Sequence, residues 1–251
     1  MRRSVLVSFP ALLLLALFAA ACGGGSDDSG PTAAPSAVAS SGTAASSTAA
    51  PNHGDEAAYQ QLKTAATTFA ALGAFHVVYD VRVQNTGGAS FSASVALTHK
   101  DDTTRTDFDG TVNGTETHLV AIEAPNSLTV CQDQQGKTCA QTSDTSQGNP
   151  LASFDPVGIL QTVLADPAMT IAPADSQAFA GISADCYTVK QSSQDSTFCT
   201  DPKSGALLLA LGKSTQSGNQ FTESIAANTF STDVAAVDTS TPYPLATATG
   251  G

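Results

Sequence analysis

The sequence has no tryptophan and only four tyrosines, and just 13% of its residues are charged. Basic residues are scarcest, 10 against 22 acidic ones. Arg2 and Arg3 fall in the leader described below, so the remainder keeps eight basic residues and a formal charge of −14. Such a surface repels phosphate backbones and anionic headgroups, and nucleic-acid binding is excluded as a function. Catalytic signatures are missing too. There is no Gly-x-Ser-x-Gly elbow, no His-Glu-x-x-His and no phosphate-binding glycine loop. No enzyme is expected. Cys-x-x-Cys does not occur and no histidine stands at ligand spacing from a cysteine, so neither a metal nor a redox cofactor is expected. His76, His99 and His118 fall on separate strand-like segments beside polar positions, as on solvated strand faces.

A membrane-spanning run is also lacking. The apolar stretch from Val5 to Phe18 is short, contains Pro10 and is followed by no charged stop. Met1-Arg2-Arg3-Ser4 before it and Ala19-Ala20-Ala21-Cys22 after it give the plan of an export signal. The last four residues resemble a lipobox, with Ala19 where leucine is usual. That resemblance implies cleavage before Cys22 and a diacylglycerol on its thiol. Two acyl chains on one cysteine anchor a protein stably, at ~0.8 kcal/mol per buried CH₂. Residues 1–21 are therefore expected to be a signal peptide, and the rest to sit on the extracytoplasmic face of the cell membrane, held through Cys22. From Cys22 to Gly54 the chain is mostly Gly, Ser, Thr, Ala and Pro, too poor in apolar bulk to offset its ordering entropy. It reads as a tether with a mean reach of roughly 30 Å.

Residues 55–251 then form one domain, with the last few expected to be disordered. Asp55 and Glu56 open a helical pattern with Ala58, Tyr59, Leu62, Ala65, Ala66, Phe69 and Leu72 on one side and Gly73 as the stop. The period then becomes two. Val77, Tyr79, Val81 and Val83 alternate with polar or outward neighbours, as do Phe91, Ala93, Val95 and Leu97. A strand to Val112 turns through Asn113-Gly114 into one from Thr115, and a fifth carries Leu128, Val130 and Cys131. Asp155-Pro156 starts a second helix whose apolar face holds Val157, Leu160, Val163 and Leu164. After an irregular stretch, strands follow at 185–191, 196–200, 206–211 and 221–227. The class is α+β, mostly β.

An exported chain meets an oxidising compartment, so the four remaining cysteines are expected in disulfides. Three pairings exist. A short loop at Gln134-Gln135-Gly136 sets Cys131 opposite Cys139, and a tight turn near Ser192-Ser193 sets Cys186 opposite Cys199.

This order of lipobox, spacer, helix, meander, Asp-Pro helix and second meander resembles the LolA/LppX-type lipoproteins, including the LprG-like ones. The stretch Gly181-Ile182-Ser183-Ala184-Asp185-Cys186-Tyr187, with Phe198-Cys199-Thr200-Asp201 and Gly205-Ala206-Leu207-Leu208, is similar to lipoproteins of this type. The resemblance implies a strongly curved antiparallel sheet, a half-open barrel, with two helices covering its concave face. It also implies a lipid or other hydrophobic ligand there. Val77, Tyr79, Val81, Phe91, Val95, Leu97, Leu128, Val130, Leu160, Val163 and Leu164 are the expected lining. The alternative is a surface interaction or sensing protein with a filled core and an envelope protein as partner.

Overall fold

The computed structural model describes residues 53–86, 90–112, 114–133, 136–143, 148–191, 194–216 and 219–246. The leader, Cys22, the tether to Asn52 and the last five residues, 247–251, lie outside them. Every strand pairing and apolar cluster described falls within one compact unit spanning Pro51–Gly251.

Helix α1 runs Glu56–Ala70. The Asp55 carboxylate accepts a hydrogen bond from the Ala58 backbone N–H (3.0 Å), satisfying one of the orphan donors of the first turn. Ala58, Leu62, Ala66 and Phe69 are its buried stripe. It stops at Ala70, and the expected cap, Gly73, lies beyond it in open space. Helix α2, Pro156–Leu164, is capped by Asp155, which accepts from Val157 (3.1 Å) and Gly158 (3.0 Å).

The strands are β1 (Ala74–Asn85), β2 (Ser90–Lys100), β3 (Thr103–Val112), β4 (Thr115–Ala124), β5 (Ser127–Gln132), β6 (Thr138–Thr142), β7 (Thr170–Phe179), β8 (Ile182–Gln191), β9 (Gln194–Thr200), β10 (Leu207–Gln216) and β11 (Asn219–Ser231). They form one sheet in the order β6-β5-β4-β3-β2-β1-β11-β10-β9-β8-β7. Two antiparallel meanders thus join where the first strand meets the last. The sheet bends far enough that β7 touches β11, four places away, yet β6 and β7 remain unpaired with each other. It is a half-open barrel with the two helices on its inner face.

Strand β7 occupies what the sequence reads as an irregular stretch. It is an edge strand, mostly exposed, carrying Pro173 and a register shift between Ala174 and Gln177. Such a strand has neither alternation nor a run of branched residues to reveal it. The sequence reading also stops short of β6, whose pairing Gln132↔Thr138 leaves a five-residue connection, longer than the three residues read there.

Both disulfides form as expected, Cys131–Cys139 and Cys186–Cys199, each joining residues directly opposite on neighbouring strands. By loop length each contributes about 2–3 kcal/mol.

Each open edge of the sheet is covered by one end of the domain. His53 and Gly54, which composition assigns to the tether, lie beside β7 instead. Ile171 donates to the His53 carbonyl (2.7 Å), and Asp55 N–H donates to the Ile171 carbonyl (2.9 Å). At the other edge Cys139 N–H donates to Pro244 O and Ala246 N–H to Cys139 O, bridging Leu245 to β6. Between Ser231 and Leu245 the tail crosses the convex face. Lys100 Nζ donates to the Val234 and Ala235 carbonyls, and Arg105 donates to those of Asp238 and Ser240. Tyr243 packs on Val120, Ile122 and the first disulfide. The tail is thus fixed as far as Ala246, and the disorder expected at the terminus falls on residues outside those described.

Candidate functional site

Opposed residues in antiparallel strands share a face, so the pairings define the concave surface. Val77 faces Leu97, Tyr79 faces Val95 and Val83 faces Phe91. The row continues from Leu97 through Thr106 and Ala121 to Val130, and Leu128 lies on the same side opposite Glu123. The eight strand residues expected to line a cavity therefore all point inward.

Most are packed solid. Val77, Tyr79, Val81, Val95, Leu97, Leu160 and Val163 belong to one continuous core with Phe69, Met169, Ile171, Phe198 and Leu208. Tyr79 is fully buried; its hydroxyl donates to the Leu207 carbonyl (2.8 Å), and burial together with the Asp155 carboxylate raises its pKa. The floor is tight at Gly110, where a Cβ would stand 2.7 Å from that of Ala93. Phe91 and Leu164 are only half-buried at the border of this core, while Leu128 and the half-buried Val130 lie on the far wing outside it.

Three hollows of about 370, 350 and 330 Å³ open on the domain. They lie at the hairpin ends of β8–β11, between α1 and the 201–205 loop, and over β1–β3. Their linings are rich in Gln, Ser, Thr and Asp, and none takes in Tyr79, Val95, Leu160 or Val163.

The border of the core beside α2 is different. Phe91 stacks at 6.0 Å on Phe108, which lies 5.7 Å from Phe154, so three rings run from β2 through β3 to the turn before α2. Val157, Ile159 and Leu164 on α2 are likewise half-buried against the core. We call this border the mouth of the half-barrel. An ionisable group lies in the same cross-strand row as Phe91. Glu223 on β11 sits opposite Val83, which in turn sits opposite Phe91, with Gly212 on its other side. Burial pushes its carboxyl up to about 7. Sequence reading missed it because a single acid in the strand 221–227 looks like any outward polar position.

This position carries a pH signature. A carboxyl held above its ordinary value of about 4.5 is penalised once it ionises, so the penalty is absent below that value and complete above about 7. Stability is expected to fall as pH rises through this window, by up to about 3 kcal/mol. Glu223→Gln should flatten that slope in denaturant titrations at pH 4.5 and pH 8; an unchanged slope would mean the carboxyl is solvated.

The three histidines are not brought together. His76 Nδ1 meets Thr98 Oγ1 (2.8 Å), His99 Nδ1 meets Thr104 Oγ1 (2.9 Å) and His118 Nδ1 meets Asp109 (2.5 Å). Among the described residues no group of three His, Cys, Asp or Glu could hold a metal, and no helix is long and apolar enough to cross a membrane.

No protein-family model matches the chain, and no curated protein matches it. It is similar to the crystal structure of MucB at 14% identity and a TM-score of 0.45, covering 72% of this chain and 61% of that one. MucB in complex with MucA(peri) aligns at 14% identity and 0.40, covering 70% and 57%. A LolA superfamily protein from Nitrosomonas europaea aligns at 10% identity and 0.29, covering 69% and 92%. The chain thus spans about three fifths of the MucB structures.

Proposed function

We propose that this chain is a lipid-anchored extracytoplasmic protein, with Cys22 holding it in the cell membrane, whose domain binds a hydrophobic ligand such as a lipid at the mouth of the half-barrel. The observation that carries the reading is the half-buried apolar border itself. Phe91 and Phe154 flank Phe108, and Val157, Ile159 and Leu164 pack half-buried on the core along a roof helix of only nine residues. Apolar bulk left at the rim of a concave surface is the usual lining of a small-molecule site. An acyl chain entering there would displace α2 outward rather than fill a preformed void.

A second reading has its own support. The interior behind the mouth is packed with side chains, and two of the three hollows are predominantly polar, which suits a protein that acts through its surface on an envelope partner.

Mass spectrometry separates the two. The chain recovered from membranes is expected to begin at Cys22 and carry acyl chains. The soluble domain, residues 51–251, is expected to yield a lipid in its organic extract and to bind a fluorescent acyl probe. Neither lipid nor probe binding would overturn the ligand reading. A specific protein crosslinked to the domain in the native membrane would then favour the second.

A further inference from the structure

The Glu223 side chain makes no hydrogen bond or ion pair among the described residues, although it faces inward from a strand otherwise lined by Ile225 and Ala227. Strand alternation sends the neighbouring charges the other way. Arg82, Lys190, Asp195 and Lys213 sit one position out of register with the inward row, so they belong to the convex side. Helix α2, which packs on β10, contains no ionisable residue. Asp155 before it caps its N-terminus, and Asp166 after it accepts from Gln191 Nε2 (2.8 Å). The inward row thus offers one carboxyl, flanked by the bare backbone of Gly212 on one side and by Val83 and then Phe91 on the other.

A half-buried carboxylate lacking a cation is completed by a cation, and an apolar surface running away from it is completed by an alkyl chain. We propose that Glu223 is the polar anchor of the mouth and selects amphiphiles whose head is an amine, the ammonium meeting its carboxylate while the tail lies over Val83 and the Phe91–Phe108–Phe154 rings. This rests on the hydrophobic-ligand reading above and narrows it to one chemical class. Charge-assisted hydrogen bonds in such partly desolvated surroundings are about twice as strong as neutral ones, so head-group chemistry should decide affinity among ligands of equal tail.

The test uses dodecylamine and dodecanol, equal in chain and different in head, titrated calorimetrically into the 51–251 domain below their aggregation concentrations. At pH 8 the amine is expected to bind at least about ten-fold tighter than the alcohol, a gap of about 1.4 kcal/mol. Glu223→Gln should bring the two to the same affinity. On the unaltered protein, pH 5 should do likewise, because the carboxyl is then protonated, and this arm needs no variant to fold. Equal affinities at pH 8, or a preference that survives both Glu223→Gln and pH 5, would overturn the proposal while leaving a hydrophobic site standing. Binding of neither compound would overturn the underlying reading instead.

Discussion

Gly205→Ala is expected to cost about 3–5 kcal/mol, although it adds a single methyl group. The added Cβ would stand 2.0 Å from the Ala65 carbonyl oxygen and 2.8 Å from its carbon, both backbone atoms of α1. Gly205 also has φ +71°, a left-handed conformation that costs an alanine about 1–2 kcal/mol by itself. Neither side can yield easily. The Asp201 carboxylate accepts from Lys203 N–H, Ser204 N–H and Ser204 Oγ, while Gly205 N–H donates to Asp201 O (2.8 Å) and Asp201 N–H to Ala206 O (2.9 Å). On the other side, α1 is fixed by its buried stripe. Relief therefore means lifting α1 off the loop, with overpacking added to the conformational penalty. Thermal melts should show a fall in Tm on the order of 10 °C. Gly73→Ala is the control, since a Cβ there meets nothing within 4 Å. Equal melting of the two variants would show that the loop and helix part freely.

Phe69→Ala should be of similar size for the opposite reason, an absence of atoms rather than an excess. Phe69 is completely buried, with its ring 4.9 Å from that of Phe75 on β1 and 6.5 Å from that of Phe230 on β11. It joins α1 to the seam between the two meanders. Deleting a buried phenyl ring costs about 3–5 kcal/mol, transfer and cavity together. The midpoint of urea unfolding should drop with the slope unchanged, since the surface exposed on unfolding is the same. A changed slope would mean that α1 had already left the native state.

The elements with strict periods were legible in the sequence. Val77, Tyr79, Val81 and Val83 on β1, and Phe91 to Leu97 on β2, alternate so regularly that their shared face followed directly. Asp155-Pro156 announced α2, and the hairpin cysteines announced their own partners. The long-range arrangement was not in any local pattern. The β1–β11 seam joins strands more than a hundred residues apart, and the curvature depends on all ten pairings together. Whether inward residues touch or leave a void depends on volumes, as at Gly110 against Ala93, and periodicity carries no volumes. Glu223 escaped notice for a related reason. Its meaning comes from its neighbours across the sheet, Val83 and Gly212, rather than from its neighbours along the chain.

The short parallel pairing at β7 has a mechanical consequence. Any tension arriving along the chain from before His53 meets the two hydrogen bonds at Ile171 and the His53–Tyr59 stack before it meets the rest of the domain. His53 stacked on Tyr59 at 4.0 Å adds friction just upstream of α1. If the preceding residues are the tether proposed above, the first contacts to feel a pull on it are this margin of the sheet and the first turn of α1.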